Sequence, residues 1–412
     1  MLHTVPTPRE SDCSHLDHTA LASVHSQYHV LVDWLTKHAL PGWWQSSADQ
    51  VGGGFFETRN RDGAGVDSPR RTRVVARQIY VFAAAKRLGW SGPADEAILH
   101  GATFFLRKLR QPSGYFVSAV RTDGVVIDPC FDLYEQAFAL FGLASMWSAG
   151  IAGGDPVLVG RALLHQLERD YKHPLSGYHE GRSDVGLLRA NPHMHMLEAL
   201  IAFRYADSDG DLRHYDQLAD EIACLCVDRL MSPVHGAVRE YFDSQWMACG
   251  PTVGVEIEPG HQFEWGALLM EWGTRRSLPI LINAGMRLIK LGENYGINSH
   301  TGLVVNALDS GLSIADAASR LWPQTERLKA WCLMARFAPT SEEREHAMRK
   351  IHIAASNVRR YFTTTPAGMW HEHINADGCF REFECRTSSL YHIVTAIEAM
   401  RPLCSAYALE LS

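Results

Sequence analysis

The sequence has no block of lysine or arginine. Its 39 Lys and Arg are outnumbered by 46 Asp and Glu, for a net charge of −7 with histidine neutral. Phosphate neutralisation needs clustered cations, so nucleic acid and anionic membranes are not expected partners. No apolar run approaches the roughly 18 residues of a membrane span. Residues 1–14 include His, Pro, Arg, Glu and Asp where a secretory signal would need an apolar stretch. Cysteine is sparse and scattered: nine in all, an odd number, with no C-x-x-C pair and with Cys224 and Cys226 the closest. That usage points to reduced thiols in a cytoplasmic protein rather than a disulfide framework. No Pro/Gly/Ser-rich linker separates parts of the chain, so its 412 residues are expected to form one domain, 1–412, with residues 1–20 as an N-terminal extension. What remains is an ordinary globular composition, 46% hydrophobic and 21% charged, able to bury a large core. Histidine is the exception. With 21 of them, one histidine alone indicates little.

The chain repeats its punctuation. A glycine followed by apolar or aromatic residues recurs at Gly54-Phe55-Phe56, Gly114-Tyr115-Phe116, Gly177-Tyr178-His179, Gly236-Ala237-Val238, Gly302-Leu303-Val304 and Gly368-Met369-Trp370. Successive separations are 60, 63, 59, 66 and 66 residues. Asp62-Gly63, Asp123-Gly124 and Asp377-Gly378 are hairpin-turn dipeptides, so short strand pairs are expected there. The segment 61–70 reads as a mobile flap over one end.

Between these points the apolar residues follow helical spacing, as in Val74, Val75, Ile79, Phe82 and Ala83, in Leu133, Ala137, Leu140 and Phe141, and in Met196, Leu197, Leu200, Ile201 and Phe203. Further helices are expected at 260–275, 277–291, 312–336, 341–358 and 387–402. Two helices fit each period, giving six helical hairpins and twelve helices. Such a repeat makes an open solenoid or a closed ring. A ring gathers its loops at one mouth, and one polar cluster per repeat favours it.

Those clusters centre on Arg77, on Asp132 and Tyr134, on Asn191 and His195, on His261 and Glu264, on Trp322 and Glu326, and on His392. From Arg77 the successive separations to Tyr134, His195, His261, Glu326 and His392 are 57, 61, 66, 65 and 66 residues. Converging on one pocket, they suit a neutral polyol. Carboxylates and amides bond hydroxyls, aromatic faces cover C–H surfaces, and histidines move protons near neutral pH. His261 and Glu264 share a helix face, so the carboxylate is placed to orient the imidazole or to grip a hydroxyl. His193 and His195, at i and i+2, lie on different helix faces, and His371-Glu372-His373 has the same weakness on a strand, so no metal site is expected.

At these residues the sequence resembles the N-acylglucosamine 2-epimerase superfamily, within it the mannose isomerase-like branch. The matching motifs are Arg71-Thr72-Arg73 through Arg77-Gln78, Asp132-Leu133-Tyr134, Asn191-Pro192-His193-Met194-His195, Pro259-Gly260-His261-Gln262-Phe263-Glu264-Trp265, Trp322-Pro323-Gln324-Thr325-Glu326-Arg327 and Leu390-Tyr391-His392, in order from about residue 50 to 402. The resemblance implies an all-α (α/α)6 barrel with short β-hairpins in the loops at one end, and no metal or organic cofactor. It implies His261 and His392 as the catalytic pair. It also implies substrate contacts from Arg77, Tyr134, Asn191, His195, Glu264, Trp322 and Glu326. The chain departs from the pattern after Tyr134, where Glu135-Gln136 stand in place of Asp-His.

The expected reaction is aldose–ketose isomerisation, with D-mannose and D-fructose as the pair. One histidine would open the ring and the other abstract the C2 proton, giving a cis-enediol(ate) whose charge Arg77 stabilises. The resemblance favours His392 as the C2 base and His261 as the ring opener. A monosaccharide is the only partner implied, to a monomer or homodimer. The alternatives are an N-acylglucosamine or cellobiose 2-epimerase, and a sulfoquinovose-type isomerase in which Arg239 supplies the extra cation. Two further readings are an (α/α)6 glycoside hydrolase using Glu264 and Glu326, and a non-catalytic sugar-binding protein.

Overall fold

The structure, a computed structural model, describes residues 18–410 apart from 152–154, 182–185 and 251–253, with side chains from residue 20 to 405. The N-terminal extension therefore lies almost wholly outside the described residues. Six inner helices form the wall of a barrel: α3 (Thr72–Arg87), α5 (Leu133–Ser148), α7 (Ala190–Ala206), α9 (Pro259–Arg276), α11 (Leu321–Arg336) and α13 (Thr387–Glu410). Each contacts the next, and α13 returns to α3, so the ring is closed. Outside them run α1 (His18–Trp34) with its continuation α2 (Leu40–Ser47), α4 (Ala94–Phe104), α6 (Pro156–Tyr171), α8 (Leu212–Leu225), α10 (Pro279–Tyr295) and α12 (Ser341–Arg360). Single π turns at Leu35–Ala39, Phe105–Leu109 and Cys226–Leu230 join α1 to α2 and extend α4 and α8. Counted as continuous rods, the described residues contain the twelve helices that the period requires.

Inner and outer helices differ as their burial demands. In α3 the side chains are buried on nearly every face, including Val74, Val75, Ile79, Phe82 and Ala83. In α12 the buried residues fall on one stripe, through Ala347, Met348, Ile351, Ala354, Ala355 and Val358, and the rest is charged. Helices α9 and α10 approach closely through glycine. A Cβ on Gly285 would lie 2.5 Å from the Gly266 carbonyl oxygen.

The short strands sit at the N-terminal ends of the inner helices and stitch neighbouring repeats together. Arg70–Arg71 pairs with Ala119–Val120, Leu188–Arg189 with Tyr241–Phe242, and Ser319–Arg320 with His373–Ile374. Thr58–Arg59 pairs with Cys385–Arg386, joining the first repeat to the last. Asp62-Gly63, Asp123-Gly124 and Asp377-Gly378 each close a three-residue turn with the glycine left-handed, at φ 85°, 85° and 89°. The same turn recurs at Asp243 and Asp309 without glycine, with Trp246 at φ 59° and Leu312 at φ 65° in the left-handed position. Two sequence expectations change here. The expected helix 312–336 starts only at Leu321, because Ile314–Asp316 and Ser319–Arg320 are strands. The segment 61–70 begins as a hairpin return, with Val66 N–H donating to the Thr58 carbonyl at 2.9 Å.

Candidate active site

Side chains from the six inner helices enter the barrel in layers. The sixth residue of every inner helix points to the axis, in chain order Arg77, Phe138, His195, Glu264, Glu326 and His392. One turn nearer the mouth stand Tyr134, Asn191 and Trp322, each the second residue of its helix, with His261 the third residue of α9. The sequence spacing thus mixed two layers: Phe138 and Glu264 are the counterparts of Arg77, whereas Tyr134 and His261 belong to the mouth. The fourth residues hold the helices to the loops. Gln136, Gln262 and Gln324 each accept from and donate to the backbone of Phe116, Val238 and Val304, at 2.7–3.1 Å. His193 takes this place in α7, accepting from Tyr178 N–H at 3.1 Å and meeting the Arg189 carbonyl at 3.0 Å. It is therefore a structural histidine.

A cavity of about 230 Å³ opens over the sixth-residue layer. Arg77, Tyr134, Asn191, His195, His261, Glu264, Trp322 and His392 all line it, joined by Glu258, Arg320, Glu372, His373, Arg386, Ser388 and Ser389. Trp322 lies between the two histidines, its ring 5.1 Å from His261 and 5.8 Å from His392. Arg77 donates to Tyr134 Oη at 3.0 Å, and its guanidinium covers the Phe138 ring at 4.1 Å. Buried Asn191 Oδ1, Glu264 Oε1 and Arg77 Nε have no hydrogen-bond partner. Unmet polar atoms of this kind are costly unless a ligand or water satisfies them. Glu326 is the exception among the expected residues. It is 0% exposed and lies behind His392, with Oε1 2.8 Å from His392 Nδ1 and Oε2 2.5 Å from Lys329 Nζ.

The surroundings push the two histidines in opposite directions. His261 Nδ1 lies 2.9 Å from Glu240 Oε2. Burial alone would lower its pKa, but the Glu240, Glu258 and Glu264 carboxylates overcome burial and lift it to about 10. Glu240 Oε1 also accepts the Glu258 N–H at 3.4 Å, and a carboxylate accepting two donors favours the imidazolium as the proton's seat. His392 is lowered by burial and by the Arg77 and Lys329 charges, against the opposing pull of Glu326. His195 is buried and pushed down to about 4, although Glu198 Oε2 sits 3.0 Å from its Nδ1. Burial and the Glu326 charge raise Glu264, with Lys329 opposing.

Several of these supports escape sequence reasoning. Glu240, absent from the sequence expectations, is the partner of His261. It belongs to a series of acids three or four residues after the repeat glycine. Glu57, Glu180, Glu240 and Glu372 all accept a backbone N–H at the start of an inner helix, from Arg71, Arg189, Glu258 and Arg386. Only the period, followed past the aromatic residues, signals them. Glu135 and Gln136 stay out of the cavity, Glu135 pairing with Arg73 and Gln136 clamping Phe116. Arg239 bonds Glu256 at 3.2 Å and lines a different cavity, so it supplies no cation to this one. Two sets of donors come within 4.8 Å of one another: His195, Glu198 and Glu264, and Glu264, Glu326 and His392. The Lys329 ammonium already supplies a cationic charge there, acting on Glu326, Glu264 and Glu198.

The closed ring of helical hairpins is shared with solved structures of sugar isomerases, sugar epimerases and α-mannanases. In solved structures it matches a D-mannose isomerase with a TM-score of 0.78 at 18% identity, covering 95% of this chain and 100% of that one. It matches the cellobiose 2-epimerase of Spirochaeta thermophila DSM 6192 with a TM-score of 0.81 at 18% identity, covering 95% and 99%. These likenesses show the fold. The family follows from sequence: residues 54–396 match the N-acylglucosamine 2-epimerase (GlcNAc 2-epimerase) family, and the chain belongs to it. A protein of Rhizobium meliloti (strain 1021) named mannose-6-phosphate isomerase is 40% identical over 378 residues, 91% of this chain and 96% of that protein. A D-mannose isomerase of Thermobifida fusca is 26% identical over 340 residues, 76% and 80% of the two chains. The protein is an enzyme, a sugar isomerase of the isomerase and 2-epimerase class. Among the described residues, no helix is long and apolar enough to cross a membrane.

Proposed function

We propose that the enzyme interconverts D-mannose and D-fructose by proton transfer through a cis-enediol(ate). The observation that carries this is two histidines lining one cavity, each with its Nδ1 on a different carboxylate and the two pushed in opposite directions, the arrangement that separates an acid from a base. His261, protonated and backed by Glu240, donates to the ring oxygen as the C1–O bond to it breaks, and the anomeric hydroxyl gives its proton back to His261, leaving the open-chain aldehyde. His392, neutral, gives its Nδ1–H to Glu326 and keeps Nε2 as the acceptor for the C2 proton. Arg77, beside Tyr134 and paired with no carboxylate among the described residues, faces the charge that develops on O1 or O2. Returning the proton to C1, as the O2 proton passes to O1, gives the ketose. Asn191, His195, Glu264 and Trp322 are placed to hold the hydroxyls and the C–H face.

A phosphorylated hexose is the second reading, favoured by Arg320 and Arg386 in the cavity wall and by the name of the Rhizobium relative. Both arginines already have carboxylate partners, Glu258 at 2.7 Å and Glu384 at 2.6 Å, which supports the neutral sugar. The sulfonated-sugar reading loses its cation with Arg239. The glycosidase reading asks Glu326 to meet the sugar, and both its oxygens are engaged behind His392. Epimerisation at C2 uses the same two histidines and differs only in where the proton returns.

Incubation with mannose in deuterated water tests the reading. Deuterium is expected at C1 of fructose, and His392→Ala should lose this exchange by roughly 10²–10⁴-fold, the contribution of a positioned general base. His261→Ala should cripple turnover of closed-ring sugar and spare some exchange on the open-chain fraction. Near-normal exchange in both variants would sink the proposal. Label confined to C2 of recovered aldose would make the enzyme an epimerase, and a parallel assay with mannose 6-phosphate decides between neutral and charged substrate.

A further inference from the structure

The ninth residues of the inner helices form a third layer: Tyr80, Phe141, Glu198, Ala267, Lys329 and Thr395. This layer separates the sugar-sized cavity from a second one of about 440 Å³ at the opposite end of the barrel, and all six residues line that second cavity. Lys329 is the cation of the layer. Its side chain is 13% exposed and its ammonium meets Glu326 Oε2 at 2.5 Å, while the other oxygen of that carboxylate faces His392 at 2.8 Å.

A buried ammonium is costly unless it is paired, and Lys329 sits among more carboxylates than it can neutralise. Glu326 is on its own helix, Glu264 and Glu271 approach from α9, and Glu198 from α7. Glu198 is also claimed by His195, at 3.0 Å, and by the Tyr391 hydroxyl. His392 is faced by Glu326 and Lys329 from α11, Glu264 from α9, Arg77 from α3 and His195 from α7. Within this set only Lys329 touches the far oxygen of Glu326. We propose that Lys329 is a positioning residue, which fixes Glu326 as an anion aimed at His392 Nδ1 and thereby leaves His392 Nε2 unprotonated towards the sugar. The proposal rests on reading His392 as the base.

The sign of the effect follows from the charges. Without the ammonium, the Glu326–His392 pair loses a nearby positive charge and binds one more proton up to a higher pH, whichever partner holds it. The base is then occupied at pH values where the native enzyme has it free.

Histidine labelled with ¹³C at Cε1 reports this in the free enzyme, without turnover, and His392→Gln identifies the resonance. Lys329→Met should raise the pH midpoint of His392 by about one unit or more, the size expected for removing a neighbouring charge. Lys329→Arg should keep it within a few tenths of a unit. In turnover, Lys329→Met should move the acid limb of kcat/KM upward by the same amount and lower kcat about tenfold near pH 6, with KM changed less than about threefold. If Lys329→Met does not fold, Glu271→Gln/Lys329→Met removes an anion with the cation, outside the sugar cavity, and takes its place. A folded variant with an unmoved His392 midpoint overturns the proposal and makes Lys329 a purely structural counter-ion. If the native enzyme turns over no aldose, the functional reading falls on its own, and the resonance titration still decides what Lys329 does.

Discussion

Replacing Glu240 by glutamine separates charge from shape in the His261 pair. The amide oxygen of the substituted side chain still accepts from His261 Nδ1 across the 2.9 Å contact, so the ring keeps its orientation. What disappears is the carboxylate that is the foremost cause of the rise in His261 from 6.5 to about 10. With burial then opposed only by Glu258 and Glu264, the imidazole should fall to its ordinary value or below. Taking about 6.5 as the upper limit, His261 is roughly a quarter protonated at pH 7 and about 3% protonated at pH 8. The native residue is almost wholly protonated at both. If ring opening requires the acid, Glu240→Gln should lose at least about fourfold in kcat/KM at pH 7 and about thirtyfold at pH 8. The alkaline limb should retreat from near pH 10 to near neutrality. The sign is fixed by the direction of the shift: a raised histidine works until pH climbs through its folded pKa, and lowering that pKa removes activity from the alkaline side first. Initial rates of mannose conversion from pH 5 to 10.5 measure it. A loss equal at every pH, or an alkaline limb left near 10, would refute the charge argument and leave Glu240 a packing residue.

Arg77→Met should lower kcat by roughly 10²–10³-fold with a smaller change in KM, because a donor aimed at developing negative charge acts mainly in the transition state; steady-state kinetics on mannose check this. Exhaustive dialysis against EDTA should leave activity intact, since Lys329 already places a positive charge against the clustered carboxylates; loss restored by Mn²⁺, Co²⁺ or Zn²⁺ would instead assign the donors around Glu264 to a metal. Gly378→Ala tests the hairpin turns: at φ 89° with its nearest neighbour 3.7 Å from the added Cβ, the cost is strain alone, about 1–2 kcal/mol, or a melting temperature lower by a few degrees.

The twelve helices could be read from sequence because each inner helix must bury nearly all its faces, and such segments alternate with amphipathic ones at a fixed period. The region 312–320 was misread because its apolar residues Leu312, Ile314 and Ala315 fit a helical stripe. The turn that opens the region, Asp309 to Leu312, carries Leu312 rather than glycine in the left-handed position. A glycine there would have marked the hairpin as clearly as Gly124 and Gly378 do. Eight of the nine expected site residues line one cavity because a ring converts equal spacing along the chain into convergence in space. Glu326 was equally convergent but one step removed, and nothing in a spacing tells a residue that faces the axis from one that another side chain covers.

The groups that set protonation were the least visible, for a physical reason. A histidine that lines the cavity shows its position by its period, whereas its partner need only reach it through space. Glu240 does so from beside a strand, 21 residues upstream, and Glu326 from the neighbouring helix 66 residues away. The two partners also differ in setting. Glu240 works beside a second carboxylate, Glu258, and its histidine is driven towards the charged form. Glu326 is shared with the Lys329 ammonium, and its histidine is lowered by burial, with Arg77 and Lys329 adding to the effect. The same residue pair, histidine with glutamate, is thus pushed towards the charged form on α9 and towards the neutral form on α13. What separates them is the company each pair keeps: further carboxylates, Glu258 and Glu264, around His261, and for His392 burial with the Arg77 and Lys329 cations.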